Sequence, residues 1–144
     1  MSTDRFTPIR WSPELSVGNE TLDAQHRQLL EYVNELHRAL SENKASSRIE
    51  ETMLFLDGYT YGHFDFEEMY MRAHDYPGLD EHIAKHREFV KRYRQFKFDL
   101  LIGKVSPQKL APQVADFIGR WWVDHICLED RKYYLFIKKR EKND

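Results

Sequence analysis

The amino-acid sequence predicts an all-α fold: an antiparallel up-down-up-down four-helix bundle with an irregular N-terminal arm. Apolar residues recur at intervals of three and four along four stretches, the spacing of one buried helix face. Turn-forming residues separate these stretches, most clearly at Pro77-Gly78. Four helices of roughly 20 residues joined by short connections favour antiparallel neighbours.

The first two predicted helices are separated by a polar break. The first helix follows the arm and has its apolar face over residues 22–40. The Ser/Asn-rich stretch 41–47 interrupts the pattern, which continues over residues 49–70. Two interior glycines, Gly58 and Gly62, weaken this second helix modestly.

The last two predicted helices follow clear turn or start signals. The third begins after Pro77-Gly78 and has its apolar face over residues 83–100. Ser106-Pro107 is typical of a helix start, which predicts a fourth helix with a buried face over residues 114–128. We expect Pro112 to lie near the first turn of this helix, where a missing N–H is tolerated.

The length of 144 residues fits a single domain. Within it we expect an N-terminal arm over residues 1–18, the helical bundle over residues 19–136 and a charged tail over residues 137–144.

Composition excludes several classes of partner. The chain has 22 basic and 24 acidic residues and a net charge of −2, so a nucleic-acid or anionic-lipid partner is not expected. The sequence has neither a membrane-length apolar run nor a signal-peptide core, which predicts a cytoplasmic protein. Its single cysteine, Cys127, rules out an intramolecular disulfide and is expected to act as a small buried apolar residue. We expect a monomer and infer no particular protein partner.

Seven side chains with metal-binding chemistry fall at one predicted end of the bundle. In an antiparallel bundle, the first and third helices begin where the second and fourth helices end. All seven are therefore expected to meet in one layer of the core. They are His26, His63, Glu67, His82, His86, His125 and Asp130.

Spacing within the helices supports this convergence. His63 and Glu67, like His82 and His86, are four residues apart and project from one side of a helix. His125 and Asp130 are five residues apart, which an ideal helix separates by about 140° around its axis. If both face the same site, the fourth helix must loosen or end near residues 127–130, through a π-type turn of the kind found at functional sites.

The donor set predicts the class of metal. Imidazole combined with carboxylate suits iron, zinc or copper better than magnesium or calcium. Seven donor side chains exceed the needs of one ion, so we expect two ions. With both carboxylates bridging and a solvent-derived oxygen between the ions, one coordination position stays open, which suits a small diatomic ligand.

At this point the sequence resembles the hemerythrin family, in particular its single-domain bacterial members, over about residues 11–134. The resemblance depends on four segments that contain all seven candidate ligands. These segments are Asp23-Ala24-Gln25-His26, His63-Phe64-Asp65-Phe66-Glu67-Glu68, His82-Ile83-Ala84-Lys85-His86 and His125-Ile126 followed by Asp130.

The resemblance implies a cofactor and a division of the ligands. Three histidines would bind one iron and two the other, and Glu67, Asp130 and a solvent-derived oxo or hydroxo group would bridge the pair. The first set is His82, His86 and His125; the second is His26 and His63. O2 would bind at the iron with two histidines. Its pocket is expected to be lined by Leu29, Phe66, Trp122 and Ile126.

The leading function is reversible O2 binding for storage, delivery or sensing, without enzymatic activity. The alternative is a di-iron enzyme, a peroxidase, oxidase or nitric-oxide-reducing protein, with Tyr70 or Tyr93 as a proton donor. A sensory module and a structural zinc site are weaker readings, since a structural zinc site is normally closed and four-coordinate. No Glu-x-x-His occurs in the sequence, which weighs against a ferritin-like carboxylate site.

Three further polar residues are expected to have structural rather than ligand roles. Asp23 is interpreted as a favourable acid in the first turn of a helix, or as an orienting partner for a ligand histidine. His37 is interpreted as a residue at the edge of the core, and His74 as solvent-exposed.

Overall fold

The structure, a computed structural model, describes residues 9–143 and confirms the predicted all-α four-helix bundle. Within this range no strand is present. The helices are α1 Glu20–Ser41, α2 Ala45–Ala73, α3 Leu79–Leu101, α4 Pro107–Trp121 and α5 Asp130–Asn143. A π-helical segment, Trp122–Glu129, joins α4 to α5 without a break, so these three elements form the fourth long helix of the bundle.

Local signals in the sequence explain where the helices begin. The side chain of Asn19 accepts a hydrogen bond from the Leu22 N–H and caps α1. Ser106 caps α4 in the same way, and Pro107 is the first residue of that helix. Pro112 lies deeper than expected, in the second turn of α4.

The buried core has two parts, and the seven candidate ligands lie between them. His26 lies between Leu22 and Leu29 on α1, and Leu29 belongs to the larger cluster while Leu22 belongs to the smaller one. The same division holds along the fourth long helix, where Ile126 belongs to the larger cluster and Tyr133 to the smaller. The polar layer is therefore enclosed by apolar side chains on both sides.

The described part of the N-terminal arm is fastened to α1 by Asp23. Its carboxylate accepts hydrogen bonds from the Ser16 hydroxyl at 2.5 Å and from the Val17 N–H at 2.9 Å. Val17 is consequently buried at the base of the smaller cluster. Asp23 thus holds the arm, and its hydrogen bonds are not made to a ligand histidine.

Two expectations for the fourth long helix need correction. Leu128, the last residue of the predicted buried face, is 60% exposed because the π-helical segment rotates it outward. The helix also continues to Asn143, and Ile137, the first residue of the expected charged tail, packs in the smaller cluster. Residues 138–143 are exposed, as expected for a solvated end.

Three other residues can now be placed. Cys127 and His74 are each partly buried, so His74 is less exposed than expected. The ring of His37 lies close to Gly119 of α4, near the edge of the core. Across residues 9–143, no helix has both the length and the apolar character needed to cross a membrane.

A polar contact around the buried Tyr93 fastens α2 to α3. The Tyr93 hydroxyl shares its single proton between two acceptors, the Asp57 carboxylate and the Met53 carbonyl. Lys97 donates to both oxygens of Asp57 at 2.9 Å. Burial favours the neutral acid, but the hydrogen bonds from Tyr93 and Lys97 keep the pKa of Asp57 below its ordinary value.

We expect Tyr93→Phe to lower the free energy of unfolding of the metal-free protein by about 1–3 kcal/mol, because a buried carbonyl and a carboxylate lose their donor. Urea unfolding would measure the difference. The matched control is Tyr32→Phe, since Tyr32 is a partly buried tyrosine that stacks on Phe55. Equal stabilities for the two variants would contradict the proposed role of the Tyr93 contact.

Candidate metal centre

All seven candidate ligands are buried in one layer of the bundle. None is more than 3% exposed, although each carries a polar or ionisable side chain. Groups of this kind are almost never buried without a partner that compensates for lost hydration. The structure therefore brings together the complete set that was expected from the sequence.

Glu67 of α2 lies at the middle of the layer, with its two oxygens facing different histidines. Oε1 is 2.9 Å from Nε2 of His82 and 2.9 Å from Nε2 of His86, both on α3. Oε2 is 3.4 Å from Nε2 of His26 on α1 and 3.6 Å from Nε2 of His63. Each oxygen thus belongs to a separate group of nitrogen donors.

Asp130 divides the histidines in the same way. Its Oδ1 is 2.9 Å from Nε2 of His82 and 3.1 Å from Nε2 of His125. Its Oδ2 is 3.1 Å from Nε2 of His26. Two carboxylates therefore connect a group of three histidines to a group of two, which is the arrangement of two bridging ligands.

The π-helical segment explains how His125 and Asp130 reach the same layer. The Asp130 N–H donates to the His125 carbonyl, five residues earlier, so the two side chains lie above one another. The π-type turn predicted from their spacing is confirmed. It is longer than expected, since it begins at Trp122.

A second set of side chains orients the ligands. His63 donates through Nδ1 to Oε1 of Gln25 at 2.5 Å, and His86 donates through Nδ1 to Oε2 of Glu68 at 2.8 Å. These bonds leave Nε2 of each ring directed at the centre, the usual arrangement for metal-binding histidines. Sequence reasoning assigned no role to Gln25 or Glu68, although each adjoins a candidate ligand in the motif.

Two further hydrogen bonds were not anticipated. The Tyr133 hydroxyl donates to Oε2 of Glu67 at 3.1 Å, and Tyr133 is itself fully buried. Trp122 donates through Nε1 to the backbone carbonyl of His26 at 2.9 Å, which ties the π-helical segment to α1. In the sequence, only position links Tyr133 to the centre. Tyr133 follows Asp130 by three residues, so both side chains lie on the same side of the helix.

Electrostatics in the layer favour charged carboxylates. Burial raises the pKa of Glu67, but the surrounding histidines, with His125 and His26 foremost, hold it well below the usual range. Burial and the charge of Glu67 likewise raise the pKa of Asp130, and His125 and His26 lower it more strongly. Both acids are therefore ionised at neutral pH.

The histidines divide into those that carry compensating charge and those that stay neutral. Burial lowers the pKa of His26 and of His82, but Asp130 and Glu67 raise these values to about 9 and about 10. Burial is the dominant influence on His63 and lowers its pKa to about 3. Without metal, protons on His26 and His82 thus supply the positive charge that the carboxylates require.

The unpaired polar atoms provide a test of whether these residues fit metal ions. Within residues 9–143, the buried side-chain atoms without a hydrogen-bond partner include both oxygens of Asp130 and both nitrogens of His125. Nε2 of His125 lies 3.1 Å from Oδ1 of Asp130, and Nε2 of His26 lies 3.1 Å from Oδ2, but these pairs lack hydrogen-bond geometry. Nitrogen and oxygen atoms that lie close together in the layer without bonding to one another fit a site in which they bind a shared metal ion instead. Imidazole and carboxylate together suit iron, zinc or copper.

Family comparison agrees with this geometry. Residues 17–137 match the family described as "Hemerythrin HHE cation binding domain". The chain belongs to the hemerythrin family. Proteins of this family generally bind O2 rather than act as enzymes, which agrees with the expectation that this protein is not an enzyme.

Several curated relatives resemble the chain over most of its length. A bacteriohemerythrin of Stenotrophomonas maltophilia (strain R551-3) is 28% identical over 123 residues, 85% of this chain and 77% of the relative. A bacteriohemerythrin of Clostridium acetobutylicum is 27% identical over 126 residues, 85% of this chain and 96% of the relative. A hemerythrin-like protein of Naegleria gruberi is 28% identical over 133 residues, 92% of this chain and 97% of the relative.

The residues expected to line a ligand pocket of this hemerythrin are only partly brought together. Leu29, Trp122 and Ile126 are buried in the larger cluster beside the ligands. Phe66 is instead 37% exposed. The buried aromatic residue at this level of α2 is Phe64, whose ring stacks on that of His86 with 4.0 Å between centroids.

Titration of the metal-free protein with Fe(II) under argon should give two ions per chain for the wild type and no more than one for Glu67→Gln. The amide offers only one oxygen donor, so it cannot serve both groups of histidines. Iron retained after gel filtration is the measurement. His74→Ala, which changes a histidine outside the layer, should keep two ions. Two tightly held ions in Glu67→Gln would contradict a bridging role.

Two variants, one with a residue deleted and one with a residue inserted, test whether the π-helical segment sets the position of Asp130. Deleting the exposed Leu128 places Asp130 four residues after His125, a spacing that a regular helix accommodates, so two ions per chain should be retained. Inserting one alanine after Leu128 turns Asp130 by about 100° around the helix axis and should remove it from the centre. Iron content of both variants, with circular dichroism as a check on folding, would decide. Equal iron content in both would show that the segment does not set the position of Asp130.

Proposed function

We propose that the protein binds O2 reversibly at two iron ions held by the seven buried side chains, with Glu67 and Asp130 bridging the ions. A solvent-derived oxo or hydroxo group would complete the bridge. The observation that supports this proposal is the unequal division of the histidines. Three nitrogen donors stand on one side of both carboxylates and two on the other, so one ion has fewer protein ligands and is the natural position for O2.

The iron pair would supply the electrons for reversible O2 binding, while the protein supplies position and isolation. Gln25 and Glu68 fix the orientation of His63 and His86 through their Nδ1 hydrogens. Tyr133 restrains Glu67, and the apolar clusters on both sides exclude water from the layer. Exclusion of water favours reversibility, because protons and solvent that would displace the ligand have restricted access.

The tyrosines named for an enzymatic alternative do not support it. The Tyr93 hydroxyl is engaged by Asp57 and Met53, on the α2–α3 interface. Tyr70 contacts His74 and Tyr133 in the smaller cluster. Reversible binding therefore remains the function that the geometry supports best, and it serves oxygen storage, delivery or sensing equally well.

The test is a visible absorption spectrum of the iron-loaded protein, reduced without air, then oxygenated, then purged with argon. A charge-transfer band that appears with O2 and disappears with argon is the expected result. His63→Ala, which removes one donor from the two-histidine group, should abolish the reversible band. Immediate irreversible oxidation of the wild type, or no band at all, would reject the proposal.

A further inference from the structure

Tyr59 carries a buried hydroxyl that finds no hydrogen-bond partner among the residues that the structure describes. Within residues 9–143, six buried side-chain polar atoms lack a hydrogen bond, and five of them belong to His26, His125 and Asp130. The sixth is the hydroxyl oxygen of Tyr59, a residue that is only 6% exposed. Buried tyrosine hydroxyls usually find a partner, because an unpaired one destabilises the fold. This exception therefore requires an explanation.

The position of Tyr59 connects it to the metal centre. It precedes His63 by one turn of α2, and its ring stacks on the imidazole with 4.5 Å between centroids and 24° between planes. His63 belongs to the two-histidine group, the side of the centre with fewer protein donors. The ring of Tyr59 thus packs against the side of the centre that the proposed function assigns to O2.

Burial and nearby negative charge keep the Tyr59 hydroxyl protonated, so that it remains a hydrogen-bond donor. Burial raises the pKa of the phenol well above its ordinary value, and the negative charges of Glu67 and Asp130 raise it further. The hydroxyl is therefore protonated at neutral pH. It is also within electrostatic reach of both bridging carboxylates.

Tyr133 provides the contrast within the same molecule. It reaches the centre from the smaller cluster, and its hydroxyl donates to Glu67. Tyr59 approaches from the larger cluster, and no carboxylate accepts from it. One tyrosine thus restrains a ligand, whereas the other presents a free donor.

We propose that the Tyr59 hydroxyl is a ligand-recognition group, which donates a hydrogen bond to a small ligand at the two-histidine side of the centre. The class of ligand is a molecule of two or three atoms with a negatively polarised end, such as azide or dioxygen that has accepted electrons. This inference rests on the proposed function. It adds a polar group to the apolar residues Leu29, Trp122 and Ile126, which are expected to line the ligand pocket.

The experiment uses azide as the probe and the iron-loaded, oxidised full chain. Tyr59→Phe removes only the hydroxyl, and we expect its dissociation constant for azide to rise about tenfold or more, the usual effect of losing one hydrogen bond to an anion. The azide stretching frequency should shift as well. Tyr32→Phe is the matched control, since Tyr32 stacks on Phe55, outside the ligand layer, and should leave affinity and frequency unchanged.

Unfolding of the metal-free protein gives an independent measurement. Because the Tyr59 hydroxyl has no partner to lose, Tyr59→Phe should be at least as stable as the wild type, whereas Tyr93→Phe should be less stable. A loss of stability in Tyr59→Phe equal to that in Tyr93→Phe would show that the hydroxyl is bonded within the protein, and would overturn the inference.

The two proposals fail in different ways. If the wild type binds azide and O2, and Tyr59→Phe binds azide with the same affinity and frequency, the role of Tyr59 is rejected while the proposed function stands. If the iron-loaded wild type binds neither azide nor O2, both proposals are rejected.

Discussion

The structure depends on the burial of two carboxylates that are shared between two groups of histidines. Glu67 and Asp130 are fully buried, and each must receive positive charge or hydrogen bonds from its surroundings. The partners come from all four long helices of the bundle. Sliding any helix along its neighbours would leave a buried charge uncompensated, so the centre and the apolar clusters together fix the relative positions of the helices.

Much of this arrangement follows from the sequence, because helical periodicity and chain direction determine which end of each helix carries which residue. Periodicity specifies which face of a helix is buried, but it does not specify which neighbouring helix packs on each side of that face. Phe64 and Phe66 flank the face of His63 and Glu67 on opposite sides, and packing against α3 and α4 makes Phe64 the buried one. Tyr59 and Tyr133 were overlooked for a related reason, since tyrosines at helical spacing are usually ordinary core residues.

The π-helical segment reconciles two requirements that a regular helix cannot satisfy together. Apolar residues before it must face the larger cluster, and Asp130 and Tyr133 after it must face the ligand layer and the smaller cluster. The wider turn absorbs one residue, which accounts for the exposure of Leu128. The spacing of His125 and Asp130 predicts the turn, but it does not indicate that the segment begins at Trp122, which donates a hydrogen bond to α1.

The enclosure of the two-histidine group affects the rates at which a ligand would enter and leave. His26 is completely shielded from solvent, His63 is nearly so, and aromatic rings cover the approach from the larger cluster. A small ligand bound there as proposed would therefore enter and leave only when the surrounding side chains moved aside. Entry and escape rates would then rise steeply with temperature, and the packing of the apolar core would control how long a ligand stays.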